Sequence, residues 1–201
     1  MSLAVRILVA AIALLGLSSI AEAQVVRLRG VIESVNGDML TVHTREGETA
    51  IVRLKQGAPI GAIVKAELTD IKPGLFVGAA ALPGPEGALK ALEVHIFPES
   101  MRGSGEGFRP FDLTPGSSMT NGNISAVVDG VDGPRLTVSY KGGEQTILVQ
   151  RNTPIVAMTT GAQEDLNSGA GVIVFATGQG ADGVYEAARV IVGRDGVKPP
   201  M

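Results

Sequence analysis

His43 and His95 are the only histidines in the 201 residues, and the chain has no cysteine. An imidazole joined by methionine would suit copper, and one joined by carboxylates would suit zinc. The missing thiols exclude a Cys-ligated metal, a thiolate nucleophile and a disulfide framework. Strand alternation sets Thr41 and His43 opposite Leu40 and Val42, and Glu93 and His95 opposite Leu92, Val94 and Ile96. Both histidines are therefore expected on outer, solvated faces, as surface residues first and as metal ligands only second. No cofactor is expected.

Three other patterns point to chemistry and then lose it. Gly178-Gln179-Gly180-Ala181-Asp182-Gly183 fits G-x-G-x-x-G after an apolar strand, the fingerprint of a dinucleotide site. Too little chain follows for a βαβ unit, so a turn is expected. Asp129 and Asp132 among glycines suggest calcium, but the alternating oxygen ligands and closing Glu of an EF-hand loop are absent. Ser117 and Ser118 have no G-x-S-x-G context and no histidine near in sequence. Acidic pairs leave no sequence signature, and the chain is read as non-catalytic.

The elements that carry these residues are short strands. Asn36-Gly37 between apolar alternating runs is a hairpin signal, because both residues tolerate positive φ. Met39 to Thr44 and Thr49 to Leu54 complete a three-strand meander after Val31 and Val35. A connecting segment ends in Leu68-Thr69-Asp70-Ile71-Lys72-Pro73-Gly74, room for one helical turn closed by glycine. Two more strands, Leu75 to Leu82 and Leu89 to Phe97, follow.

The pattern then recurs. Leu40-Thr41-Val42 returns as Leu136-Thr137-Val138 at an offset of 96, Pro59-Ile60 as Pro154-Ile155 at 95, and Gly87, Ala91 and Val94 as Gly183, Ala187 and Val190 at 96. Ordered matches at a nearly constant offset are the mark of a tandem duplication. The G-x-G-x-x-G run has Leu82-Pro83-Gly84-Pro85-Glu86-Gly87 as its counterpart, and those two prolines remove amides a pyrophosphate would need. Five strands with one short helical turn between the third and fourth is an OB-like order. The expected fold is thus all-β, with two tandem small OB-like five-strand β-barrels at 24–98 and 119–193, followed by a tail at 194–201. Residues 99–118, rich in Gly, Ser and Pro, form a partly ordered linker. Phe108, Phe111 and Leu113 are too apolar for a free tether and are expected to pack between the barrels, which makes that groove the interaction surface.

Residues 1–23 read as a cleaved signal peptide. Arg6 precedes eleven uncharged apolar residues, Ile7 to Leu17, too few for the roughly 20 a membrane span needs, and Ala21-Glu22-Ala23 suits signal peptidase. A periplasmic or secreted chain with no membrane span in its mature part is expected. Nucleic acid is not expected as a partner: residues 24–98 carry 8 basic and 8 acidic residues, and those from 119 onward carry 6 and 8, whereas single-strand binders need a basic groove with stacked aromatics.

The half-motif of Pro-Ile, then Asp-Leu or Asp-Ile, then Gly and a hairpin resembles a family of small secreted β-barrel domains of unknown function, often in tandem. The segments from Arg109 to Asn121 and from Val192 to Met201 resemble uncharacterised exported proteins of alphaproteobacteria. The resemblance implies a fold and a compartment and no activity. Some such relatives are labelled metal-transporter permease components, a label this sequence departs from because no span follows the leader. The function expected is an exported binding or scaffolding module of the cell envelope, with an unknown envelope protein or small ligand as partner. A periplasmic metal-binding or metal-delivery accessory using His43 or His95 is the rival, and an OB-type nucleic-acid binder is a more distant one.

Overall fold

A computed structural model describes residues 25–199. The expected leader and the last two residues of the tail lie outside the described residues. The described residues are all-β: thirteen strands and four single-turn 3₁₀ segments. In order they are β1 (Val26–Asn36), β2 (Met39–Thr44), β3 (Thr49–Leu54), β4 (Ile60–Lys65), β5 (Phe76–Pro83), β6 (Leu89–Ile96), β7 (Gly107–Pro110), β8 (Ser118–Val128), β9 (Arg135–Tyr140), β10 (Gly143–Leu148), β11 (Ile155–Thr160), β12 (Gly171–Gln179) and β13 (Tyr185–Gly193). The expected helical turns are Leu68–Asp70 and Gln163–Asp165, and each is closed the same way. Asp70 Oδ2 accepts from the Glu67 amide and Asp165 Oδ2 from the Ala162 amide, both at 2.8 Å.

Strands β1, β2 and β3 form the expected meander, but β1 then pairs with β12, not with β5. β12 pairs with β13, and β13 returns to β3 in parallel through Tyr185↔Val52, which closes a five-strand barrel. The complementary ring runs β8, β9, β10, β6, β5, and its parallel closure is Ile147↔Leu89. Each ring thus takes three strands from one half of the sequence and two from the other. The expectation that 24–98 and 119–193 each close on themselves is corrected here.

The cause lies in β4 and β11, strands that occupy the expected connecting segments. Each is six residues of extended chain and carries the backbone roughly 20 Å at about 3.3 Å per residue. The two strands run antiparallel to one another, with Met158 opposite Ile63, and deliver the following hairpin to the far ring. They also bind the rings together: Ile60↔Val190 joins β4 to β13 in parallel, and Ile155↔Val94 joins β11 to β6. No long loop is needed, because the crossing strands satisfy their own backbone groups.

Two apolar interiors result. Ile32, Leu40, Val42, Val52, Val174 and Val190 fill one ring, and Val77, Ala79, Val94, Leu136, Val138 and Ile147 the other. A third cluster, Ile63, Val156, Met158, Ile173 and Ile191, lies outside both rings and packs the seam between them. Both rings are also pinched alike. A Cβ on Gly30 would sit 2.1 Å from the His43 carbonyl oxygen, and one on Gly122 would sit 2.4 Å from that of Ser139, so only glycine lets the first strand cross so near the second.

Candidate functional site

Where the two rings face each other, their outer walls carry cross-strand rows at corresponding positions. On one wall Arg27, Phe175 and Arg189 are direct neighbours on β1, β12 and β13. On the other, Met119, Ala80 and Glu93 are neighbours on β8, β5 and β6. One step along, Arg29, Ile173 and Ile191 answer to Asn121, Gly78 and His95. Corresponding positions inside the two rings are apolar in both, whereas these facing rows differ in charge and polarity. Their chemistry is therefore not required by the barrel itself.

The row of arginines borders a cleft of about 210 Å³ between the rings. Phe97 and Asn121 line it from the opposite wall, and the linker closes its side with Arg109 and Phe111. Larger hollows exist at the ring ends, about 560 Å³ beside Leu68 and Ile155 and about 730 Å³ beside Gln163 and Ile60. These two occupy corresponding places, so they come with the architecture. The inter-ring cleft, with unlike walls, is the better candidate for a ligand.

The linker is held over this cleft. β7 extends the sheet by pairing with β8, Arg109 opposite Met119. Asn121 Nδ2 donates to the Ser104 carbonyl at 3.0 Å, and Arg109 donates to that of Gly105 at 2.6 Å. Ser117 holds the next turn: its hydroxyl donates toward the Phe111 and Thr114 carbonyls, at 3.0 and 2.7 Å. Asp112 fastens the segment to β1, accepting from Arg27 and Arg29 at 2.8 Å each. Burial pushes the Asp112 carboxyl up, but the Arg29 hydrogen bond and the charges of Arg27 and Arg29 outweigh it and hold it below its ordinary value.

Phe111 lines the cleft, 5.6 Å from the Arg27 guanidinium. Phe108 points to the other side of β7 and is 47% exposed; Leu113 is half-buried beyond Asp112. Arg27 also lies 5.4 Å from the Phe175 ring centroid, and the Arg189 guanidinium lies over the same ring at 4.0 Å. Burial pushes the Arg109 and Arg189 guanidinium groups down, and the charge of Arg27 adds to it in both.

The histidines are far apart in role. His43 stands on β2, exposed, with Nδ1 3.7 Å from a Glu33 carboxylate oxygen. His95 does lie opposite Val94, but it is 1% exposed, so the expected solvated position is corrected. The side of a strand follows from alternation; what covers that side does not, and here the seam between the rings covers it. Its Nε2 is 2.9 Å from Glu93 Oε1, equally buried, yet the angles are too poor for a hydrogen bond and both groups lack other partners. Among the described residues, no three His, Asp or Glu side chains converge as metal ligands would. The G-x-G-x-x-G run forms the turn between β12 and β13.

The residues missed were Arg27, Arg109, Arg189 and Phe175. Their one sequence signal was unlikeness at like positions, Arg189 against Glu93 and Phe175 against Ala80. Comparison with protein-family models, with curated proteins and with solved structures gives no match. Among the described residues, no helix is long and apolar enough to cross a membrane.

Proposed function

We propose that this chain is an exported, non-catalytic binding module of the cell envelope. It takes a small ligand, or the protruding end of a larger envelope component, in the cleft between two OB-like barrels that arose by tandem duplication and exchange their last two strands. The observation that carries this reading is the pair of facing rows: corresponding interior positions stay apolar, as Leu40 with Leu136 and Val94 with Val190, while the cleft positions diverge in charge and size. A cleft roofed by an anchored linker and walled by aromatic rings suits binding. At about 210 Å³ it lies below the usual range of roughly 300–1,000 Å³ for drug-sized ligands, hence a small molecule or a terminal group. The export half of the proposal rests on the leader pattern of residues 1–23 and on the resemblance to exported proteins.

Two measurements test it. Fractionation with N-terminal sequencing should find the mature chain in the envelope fraction beginning at Gln24; a cytoplasmic chain retaining residues 1–23 would overturn export. Native mass spectrometry of protein isolated from its own envelope should show a retained ligand that Phe175→Ala loses. Retention unchanged by that substitution would move the site elsewhere.

A further inference from the structure

We propose that the inter-ring cleft binds an organic anion through a carboxylate carried on a compact apolar body, with Arg109 and Arg189 as the carboxylate-binding residues. The inference deepens the reading of the cleft as the binding site and rests on it.

Three guanidinium groups border one small cleft, and only one of them has its charge answered. Arg27 shares Asp112 with Arg29. Among the described residues, neither Arg109 nor Arg189 has a carboxylate within 4 Å, and Glu93, on the facing wall, is turned to His95 and buried. Arg189 is half-buried and Arg109 stands exposed at the rim, and like charges gathered around one small cleft are costly unless an anion completes the site. The directions found for both groups agree: burial first, and then Arg27, weaken their hold on the proton.

The geometry says what kind of anion. A guanidinium stacked on a ring uses its face and leaves its in-plane N–H groups free. Arg189 lies over Phe175 at 4.0 Å, so the ring takes one side of the guanidinium and its N–H fork is left for the two oxygens of a carboxylate. Arg109 comes from the linker, on the same side of β7 as Met119 in the ladder, and adds a donor from the roof. Beside the polar Ser104 and Asn121, most of the remaining lining, with Phe97, Phe111, Met158 and Ile191, is apolar and would be wasted on a bare, hydrated inorganic ion. A flat or short-branched body of about ring size fits both the walls and the volume.

The test is titration calorimetry of the purified full chain at low salt with phenylacetate, 2-phenylethanol, phenethylammonium, inorganic phosphate and sulfate. Phenylacetate should bind, and Arg189→Gln and Arg109→Gln should each weaken it at least tenfold; Arg189→Lys, which keeps the charge and loses the fork, should recover only part. Circular dichroism melts of the same variants establish that they fold. If the neutral or cationic compound binds the cleft as tightly as phenylacetate, the cleft stands and the anion class is wrong. Equal binding of phosphate or sulfate would overturn the apolar-bodied carboxylate in favour of a general oxyanion site. Phenylacetate binding that none of the arginine variants changes would overturn the cleft itself, and no binding by any compound would overturn the proposal.

Discussion

Nε2 of His95 lies 2.9 Å from Oε1 of Glu93 with both side chains 1% exposed, and in the other ring the corresponding positions are Ile191 and Arg189. One ring therefore buries an acid with its partner where the other carries a hydrophobe and a half-buried cation. Removing one member should be worse than removing both. His95→Ile alone leaves a buried carboxylate and is expected to cost about 3 kcal/mol or more, whereas Glu93→Leu with His95→Ile should cost far less. Urea denaturation of the single and double variants decides, and equal losses would mean the pair does not interact.

The paired pinches give a second expectation. Gly30→Ala and Gly122→Ala each force a methyl into a facing carbonyl, and each should destabilise by about 1–3 kcal/mol. Their φ angles are ordinary, so crowding alone is tested. Thermal melts should show similar losses at both sites, and a silent substitution at one would mean the two rings are not pinched alike.

Within the linker, burial separates two phenylalanines three residues apart. Phe111→Ala should lower stability by about 1.5 kcal/mol, while Phe108→Ala, on an exposed side chain, should stay within about 0.5 kcal/mol. Melting curves showing the reverse order would mean that Phe108, not Phe111, anchors the strap.

Acid should loosen the same segment. The folded Asp112 carboxyl lies below its ordinary value, so its pairing with Arg27 and Arg29 is complete above that value and is lost as pH falls through the lower, folded one. Corrected for intrinsic rate, hydrogen exchange at residues 107–112 should be flat from pH 5 to 8 and rise below about pH 4. Asp112→Asn should exchange fast throughout. A rise centred near neutrality would assign the linker's hold to some other group.

The strands were legible because alternation and turn residues act locally: Asn36-Gly37 does turn a hairpin, with Gly37 at φ +62°, and single helical turns do follow β4 and β11, although extended Ile71 and Leu166 rather than a glycine close them. The exchange was not legible, and for a physical reason. Val94 and Val190 present the same surface to a ring interior, so the pattern of β5–β6 is satisfied equally by its own meander or by the other. What decides is the direction of β4, and Ile60-Gly61-Ala62-Ile63-Val64-Lys65 shows only a short apolar run. The cleft was legible in part. Phe111 advertised itself as an apolar residue in a polar linker, but Arg27, Arg109 and Arg189 meet only through pairings between distant strands.

Everything asserted of the cleft depends on β12 lying beside β1, since only that pairing makes Arg27, Phe175 and Arg189 neighbours. The chain has no cysteine, so introduced pairs report cleanly. Leu28 and Val174 face each other across β1 and β12, within the Cα separation a disulfide accepts. If each half closed on itself, Leu28 would instead face Ala79, the residue at Val174's position in the other half. The measurement is disulfide formation in the monomeric protein, isolated by size exclusion and read by mass spectrometry. Leu28→Cys with Val174→Cys is expected to oxidise readily, and Leu28→Cys with Ala79→Cys to stay reduced. The opposite pattern would dissolve the arginine row and the site built on it.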